Sequence, residues 1–127
     1  MASELRVNTL KDASGNNSVA TSVVAQGSLK GFAFYVQSTD TLGTTFNIAS
    51  ATDNATGEVY LNLTNNVNTE DEPHTGSGVG SANTTVVGYE AGSDSTTSSR
   101  RFNTTNSAAS DALSDSSTYT LIGGDLA

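Results

Sequence analysis

The sequence predicts an all-β fold: an antiparallel β-sandwich or jelly-roll-like domain with a short N-terminal anchoring segment. Three observations carry that expectation. Several short segments alternate in character with period two, as strands with a buried face do. Clusters of Gly, Asn and Asp punctuate them at the spacing of a strand sandwich. Ser 18, Thr 19, Asn 12 and Gly 12 make up nearly half of the 127 residues, a composition suited to turns and strands, and no stretch reads as a helix.

Residues 1–28 place Leu5, Val7 and Leu10 among polar residues. They pass through a turn signal at Asp12-Ala13-Ser14-Gly15-Asn16 and continue from Val19 through Val23 and Val24 to Gly27. So short a segment cannot bury its own apolar side chains; it is expected to pack on the next domain or on a partner, or to be a flexible arm. Residues 29–127 form the sandwich. Phe32, Phe34 and Val36 share one strand face, Ala33 and Tyr35 the other. Asp40 to Gly43 reads as a turn, Thr44 to Ser50 as a second strand centred on Phe46 and Ile48, and Thr52 to Gly57 as a hairpin loop. Glu58 to Thr64 has the cleanest alternation, with Val59, Leu61 and Leu63 on one face and Tyr60, Asn62 and Thr64 on the other. Residues 65–83 are expected to be a long exposed loop, Thr84 to Tyr89 a fourth strand, and Gly92 to Ser99 a polar loop. Arg100 to Thr104 reads as a fifth strand, Ser107 to Ser117 as a loop, and Thr118 to Ile122 as the last strand.

Composition excludes much. Cys is absent, which removes disulfides, thiol nucleophiles and thiolate metal sites. A single His leaves no His-based triad and no multi-His metal centre within one chain. The net charge of -8 repels phosphate backbones, and Arg6, Lys11, Lys30, Arg100 and Arg101 are scattered, so nucleic acid is not an expected partner. No apolar run approaches the roughly 20 residues of a membrane helix, so membrane insertion is not expected either. The start Met1-Ala2-Ser3-Glu4 lacks signal-peptide character, and assembly in a cytoplasm is expected. Leu, Ile, Val and Phe are only about a fifth of the chain, at the margin where a polar sequence folds alone. Burial between subunits is the simplest supplement, so a homo-oligomer is expected.

Candidate sites are sparse. Glu70, Asp71, Glu72 and His74 are the densest ionisable cluster; four ligands in five residues suit a hard cation, but the spacing matches no calcium loop, and an exposed, solvated loop is the reading adopted. Asp53-Asn54 before Gly57 offers oxygens for calcium or a sugar, yet turn chemistry accounts for it. Arg100 and Arg101 point to opposite faces of a strand, with Asp94 or Glu90 the expected partner of one. Asn16, Asn54, Asn62, Asn83 and Asn103 each open an Asn-X-Ser/Thr triplet, a chance product of this composition. Tyr35, Tyr60, Tyr89 and Tyr119 are expected to pack with hydroxyls at the rim rather than to stack together on sugars. Hydrolysis by paired carboxylates such as Asp53 with Glu58 is the residual enzymatic possibility; no catalytic residue, cofactor or metal is assigned. Leu5, Val7, Leu10, Val23 and Val24 are the candidate anchoring residues, because apolar groups on a short arm find burial against another chain.

Three segments carry a resemblance. Met1 to Ala20 with its Ser3-Glu4-Leu5-Arg6-Val7 start, Ala25 to Phe32, and above all Phe46-Asn47-Ile48-Ala49-Ser50-Ala51-Thr52-Asp53-Asn54-Ala55-Thr56-Gly57-Glu58-Val59-Tyr60-Leu61-Asn62-Leu63 resemble short virion appendage proteins of marine tailed phages, and the closing residues Gly124 to Ala127 resemble theirs too. These segments cover about two fifths of the chain. The chain departs from that pattern at Phe32, where the family usually has Trp, and over 91–117. The resemblance implies a strand sandwich, no known chemistry, and a place on the virion in a short tail fibre, head fibre or decoration-like protein. It also implies a homotrimer attached to other virion proteins. Capsid decoration is the alternative within that class. A carbohydrate-binding module, meeting a host-surface glycan or receptor through loops at 38–44, 65–83 and 91–99, is the alternative of another class.

Overall fold

The computed structural model describes residues 6–15, 18–71, 73–79, 85–88, 95–106 and 112–127, with 85–88 and 106 described by their backbone alone. Two antiparallel sheets packed together make an all-β, sandwich-like domain. In chain order, β1 (Thr9–Leu10) and β2 (Val19–Ala20) form a small ribbon, and α1 (Thr21–Gly27) follows. The first sheet has the order β4-β3-β11-β7, built from β3 (Gly31–Val36), β4 (Thr41–Phe46), β7 (His74–Val79) and β11 (Ser117–Ile122). The second contains β5 (Ile48–Ala55), β6 (Glu58–Leu63) and β9 (Ser99–Asn106), with β8 (Thr85–Gly88) and β10 (Ala112–Leu113) both pairing with β9.

The core lies between the sheets. Ala33, Tyr35 and Ile122 face Val59, Leu61, Leu63 and Phe102, with Ile48 and Val67 closing one end. Tyr35, Leu61 and Ile122 are fully buried. Between them, Thr118 and Thr120 occupy inward positions of β11, both buried, so this core is thinner in hydrocarbon than most and relies on backbone pairing. The β6 alternation is as expected: Val59, Leu61 and Leu63 are buried and Glu58, Tyr60 and Asn62 half-buried.

Several expectations are corrected. The stretch 65–83 is not one long loop. Val67 is fully buried and bridges Leu126, and His74–Val79 is a strand along β11. Its inward positions are His74, Gly76 and Gly78, so pairing rather than side-chain hydrophobicity forms it. Thr44 to Ser50 is not one strand. Asn47 sits in left-handed backbone (φ 57°) and passes the chain from the first sheet to the second. Its Oδ1 accepts from Asn65 N at 2.8 Å and its Nδ2 donates to Lys30 O at 2.9 Å, which fixes the crossing. The expected hairpin loop from Thr52 is strand as far as Ala55, leaving Thr56 and Gly57 as the turn. The expected turn at Asp40 to Gly43 is a 3₁₀ turn over Gln37–Thr39 followed by Asp40 in left-handed backbone, and β4 has already begun at Thr41. The arm holds a helix where none was expected. Its Thr-Ser-Val-Val sequence has no side-chain cap, and the turn is held instead by Thr21 Oγ1 donating to Val7 O at 3.1 Å. The fourth strand is described over Thr85–Gly88; residues 80–84, 89–94 and 107–111 lie outside the described residues.

Candidate functional site

The two outer faces of the sandwich differ in kind. On the second sheet the outward positions of β5, β6 and β9 are mostly polar, with Tyr60 among them, and many are bonded to one another. Asn62 Nδ2 donates to Ser50 Oγ at 3.0 Å and Thr52 Oγ1 at 3.2 Å, Asn54 Nδ2 donates to Glu58 Oε1 at 2.7 Å, and Arg101 pairs with Glu58 at 2.9 Å. Such a ladder is finished for contact with water.

The outer face of the first sheet is apolar. Antiparallel register sets Phe46 beside Phe32 and Phe32 beside Leu121, and in the next row Phe34 beside Tyr119. The Phe32 and Phe46 rings stack at 5.9 Å and those of Phe34 and Tyr119 at 4.7 Å. Phe46 and Tyr119 are each 52% exposed. A groove of about 260 Å³ runs between Leu29, Phe34, Thr44, Tyr119 and Leu121. A second, of about 250 Å³, lies beyond Tyr119 against Thr75 and Ser77. The sequence alternation in β3 was legible, but the face turned to the core is the smaller one, Ala33 with Tyr35, while the Phe32, Phe34 and Val36 face is only half-buried. The rings make one contiguous apolar patch on an open face.

At the end of the sandwich opposite the arm lies a polar latch. Gln37, almost fully buried, donates from Nε2 to Asp53 Oδ1 and to Ala55 O, both at 3.1 Å, and its Oε1 lies 3.3 Å from Thr104 Oγ1. Gly57 N donates to Asp115 Oδ1 at 2.8 Å, and Tyr35 OH to Asp40 Oδ1 at 2.7 Å. Burial, and after it the hydrogen bond and charge of Asp40, hold the Tyr35 phenol well above its ordinary range. These groups satisfy one another and tie the two sheets together. The carboxylates of Asp53 and Glu58, the residual hydrolytic pair, point to opposite faces of their sheet, one to Gln37 and the other to Asn54 and Arg101.

The other sequence candidates are dispersed. Glu70 and Asp71 are exposed, Glu72 lies outside the described residues, and His74 is not on a loop but half-buried in β7 with its ring edge-on to Phe102 at 5.1 Å. Among the described residues no three His, Asp or Glu side chains gather as a metal site. Arg100, expected to serve a surface or an ion pair, is instead fully buried and donates to Glu70 O and Thr69 O at 2.9 Å each. The carboxylate that meets Arg101 is Glu58; Asp94 and Glu90 lie outside the described residues. The tyrosines do not gather: Tyr35 is buried, Tyr60 half-buried and Tyr119 exposed, with Tyr89 outside the described residues. Of the anchoring candidates, Leu5 lies outside the described residues, while Val7, Leu10, Val23 and Val24 are all exposed. Among the described residues no helix is long and apolar enough to cross a membrane. Comparison with protein-family models, with curated proteins and with solved structures finds no match to this chain.

Proposed function

We propose that the chain is a non-enzymatic structural protein of a tailed-phage virion, forming a short trimeric fibre, spike or tail appendage and working through its surfaces. The observation that carries the structural part is the apolar outer face of the β4-β3-β11-β7 sheet, beside a second outer face that is mostly polar, with many of its side chains bonded to one another. A surface of that kind is stable when it is covered by protein. The exposed Val7, Leu10, Val23 and Val24 of the arm support the same reading, with residues 1–28 as the attachment end to other virion proteins and residues 29–127 as the displayed part. The virion setting rests on the resemblance of the Phe46 to Leu63 segment and the chain's opening to phage appendage proteins.

Mass spectrometry of purified particles of the phage that encodes the chain is the test, and absence of the chain from them overturns the proposal. Particle reconstruction separates an appendage from a capsid decoration protein. The glycan-binding alternative is read by a glycan array. Its aromatic rings are present in Phe46 and Tyr119, but the polar side chains beside them are Thr44, Thr75 and Ser77, which give single hydroxyl contacts and none of the paired contacts that amides and carboxylates make.

A further inference from the structure

We infer that the outer face of the β4-β3-β11-β7 sheet is where copies of this chain meet, three sheets facing one three-fold axis with their strands running along it. The inference rests on the reading of the chain as an assembly protein and names the surface through which it assembles.

Charge selects a copy of the same chain. Each molecule carries a net charge of -8 and repels its like. Yet β3, β4, β7 and β11 contain no Asp, Glu, Lys or Arg at all. A self-contact on this face buries no charge, so it avoids both like-charge repulsion at short range and the desolvation of unpaired ions. A basic partner would have nothing to pair with here.

Area agrees. Phe46 and Tyr119 at 52% exposure, with Val79 at 47%, Leu121 at 45% and Leu29 at 44%, leave roughly 450 Å² of apolar surface open, taking aromatic side chains at about 150–250 Å² each. With the Thr and Ser rim this approaches roughly 800 Å² per chain, about half of it against each of the two neighbours in a three-fold assembly.

The count of three comes with the proposed fibre, and side-chain size suits it. A four-stranded sheet is about 19 Å wide at about 4.8 Å per strand. Three such sheets closed into a triangular prism stand about 5.5 Å from the axis, half the roughly 10 Å at which sheets pack. The space inside is deep over the central strands and narrows to a wedge at the corners. The large outward residues Phe32, Phe34, Tyr119 and Leu121 are on the central strands, while the edges carry Thr41 and Thr44 on β4 and Thr75 and Ser77 on β7. The two large edge residues sit at opposite ends: Phe46 shares a row with Thr75, and Val79 shares one with Thr41. Where β4 of one copy meets β7 of the next, each therefore faces a small partner.

The chain has no cysteine, so Phe46→Cys with Thr75→Cys adds the only thiols. Within one copy these positions are separated by two strands, roughly 14 Å, beyond the about 7 Å reach of a disulfide. Under mild oxidation the double variant should give a non-reducing ladder that ends at three chains, and light scattering of the unmodified protein should give three times 12.9 kDa at micromolar concentration. Tyr119→Glu, at a half-exposed site where folding is not at stake, should reduce the mass to one chain with an unchanged circular dichroism spectrum. A ladder that ends at two chains overturns the three-fold arrangement, and a monomeric unmodified protein overturns the whole inference. A monomer present in purified particles would leave the virion role standing, whereas a trimer absent from them would remove that role and leave this interface.

Discussion

Tyr35 donates its phenolic hydrogen to Asp40 Oδ1 at 2.7 Å, tethering a fully buried ring to the left-handed residue that ends the 3₁₀ turn. The folded phenol stays neutral well above the ordinary 10.0, first because it is buried and then because Asp40 accepts its hydrogen. The unfolded chain therefore loses this proton first. The resulting stability is fully present below about pH 10 and falls at about 1.4 kcal/mol per pH unit as the pH rises above it, until the folded phenol itself ionises. Tyr35→Phe should cost about 1 kcal/mol at neutral pH and should flatten the alkaline limb of stability measured by urea unfolding between pH 9 and about 11. An unchanged slope would falsify the assignment.

Arg100→Met should destabilise the fold by about 3 kcal/mol, because its guanidinium satisfies the carbonyls of Thr69 and Glu70 inside the protein. Arg100→Lys should recover part of this, since an ammonium keeps the charge without the planar fork that spans both oxygens. Limited proteolysis should cut the 64–73 segment first in Arg100→Met, and equal protection in both proteins would exclude the role.

Gly57 has φ 69°, and a Cβ there would lie 2.5 Å from Thr104 O and 2.6 Å from Ser114 N. Gly57→Ala should therefore cost about 3 kcal/mol or more, combining left-handed strain with a clash against backbone that cannot move without breaking the Thr104 N to Gly57 O bond. Asn47→Gly is the informative contrast: it keeps the left-handed geometry but loses the contacts to Lys30 and Asn65, and should cost about 1–2 kcal/mol. Thermal unfolding ranks the two.

Deletion of residues 2–24 should leave the sandwich folded, because among the described residues β1 and β2 pair only with each other and the Lys30 ammonium keeps its partners Ala25 O and Ser28 Oγ. Stability should change by less than about 1 kcal/mol, while attachment to the particle should be lost. A truncated chain that still incorporates would place the attachment elsewhere.

What the sequence made legible was decided by side-chain contrast. β6 could be read because Val59, Leu61 and Leu63 alternate with polar residues. β3 could be placed but not oriented, since both of its faces are apolar and only the packed structure shows that the smaller one goes inside. β7 was invisible because His74, Gly76 and Gly78 supply no hydrophobic signal; its strand character comes from register with Ile122, Thr120 and Thr118. The break at Asn47 rests on side-chain bonds to residues 17 and 18 positions away, which no local pattern carries. Arg100 was misread for a related reason: its neighbours in the fold are carbonyls about 30 residues earlier rather than a nearby carboxylate. Of the candidate surface, the Phe and Tyr residues were visible as strand members, but their gathering on one open face depends on the pairing of β3 with β11 across more than 80 residues.

Lys30 N donates to Ile122 O at 2.7 Å, so the first residue before β3 and the last of β11 are neighbours in an antiparallel pair. That geometry sets how the domain bears mechanical load. A pull applied between the chain leading into Lys30 and the chain leaving Ile122 opens the β3 and β11 ladder like a zipper, one pair of bonds at a time, and yields at low force. A pull between the arm and the far turn at Gln37–Thr39 runs along β3 instead, so the covalent backbone of that strand carries the tension and no ladder is opened pair by pair. Held by its arm and tugged at that tip, the domain resists; held by its two chain ends, it unravels.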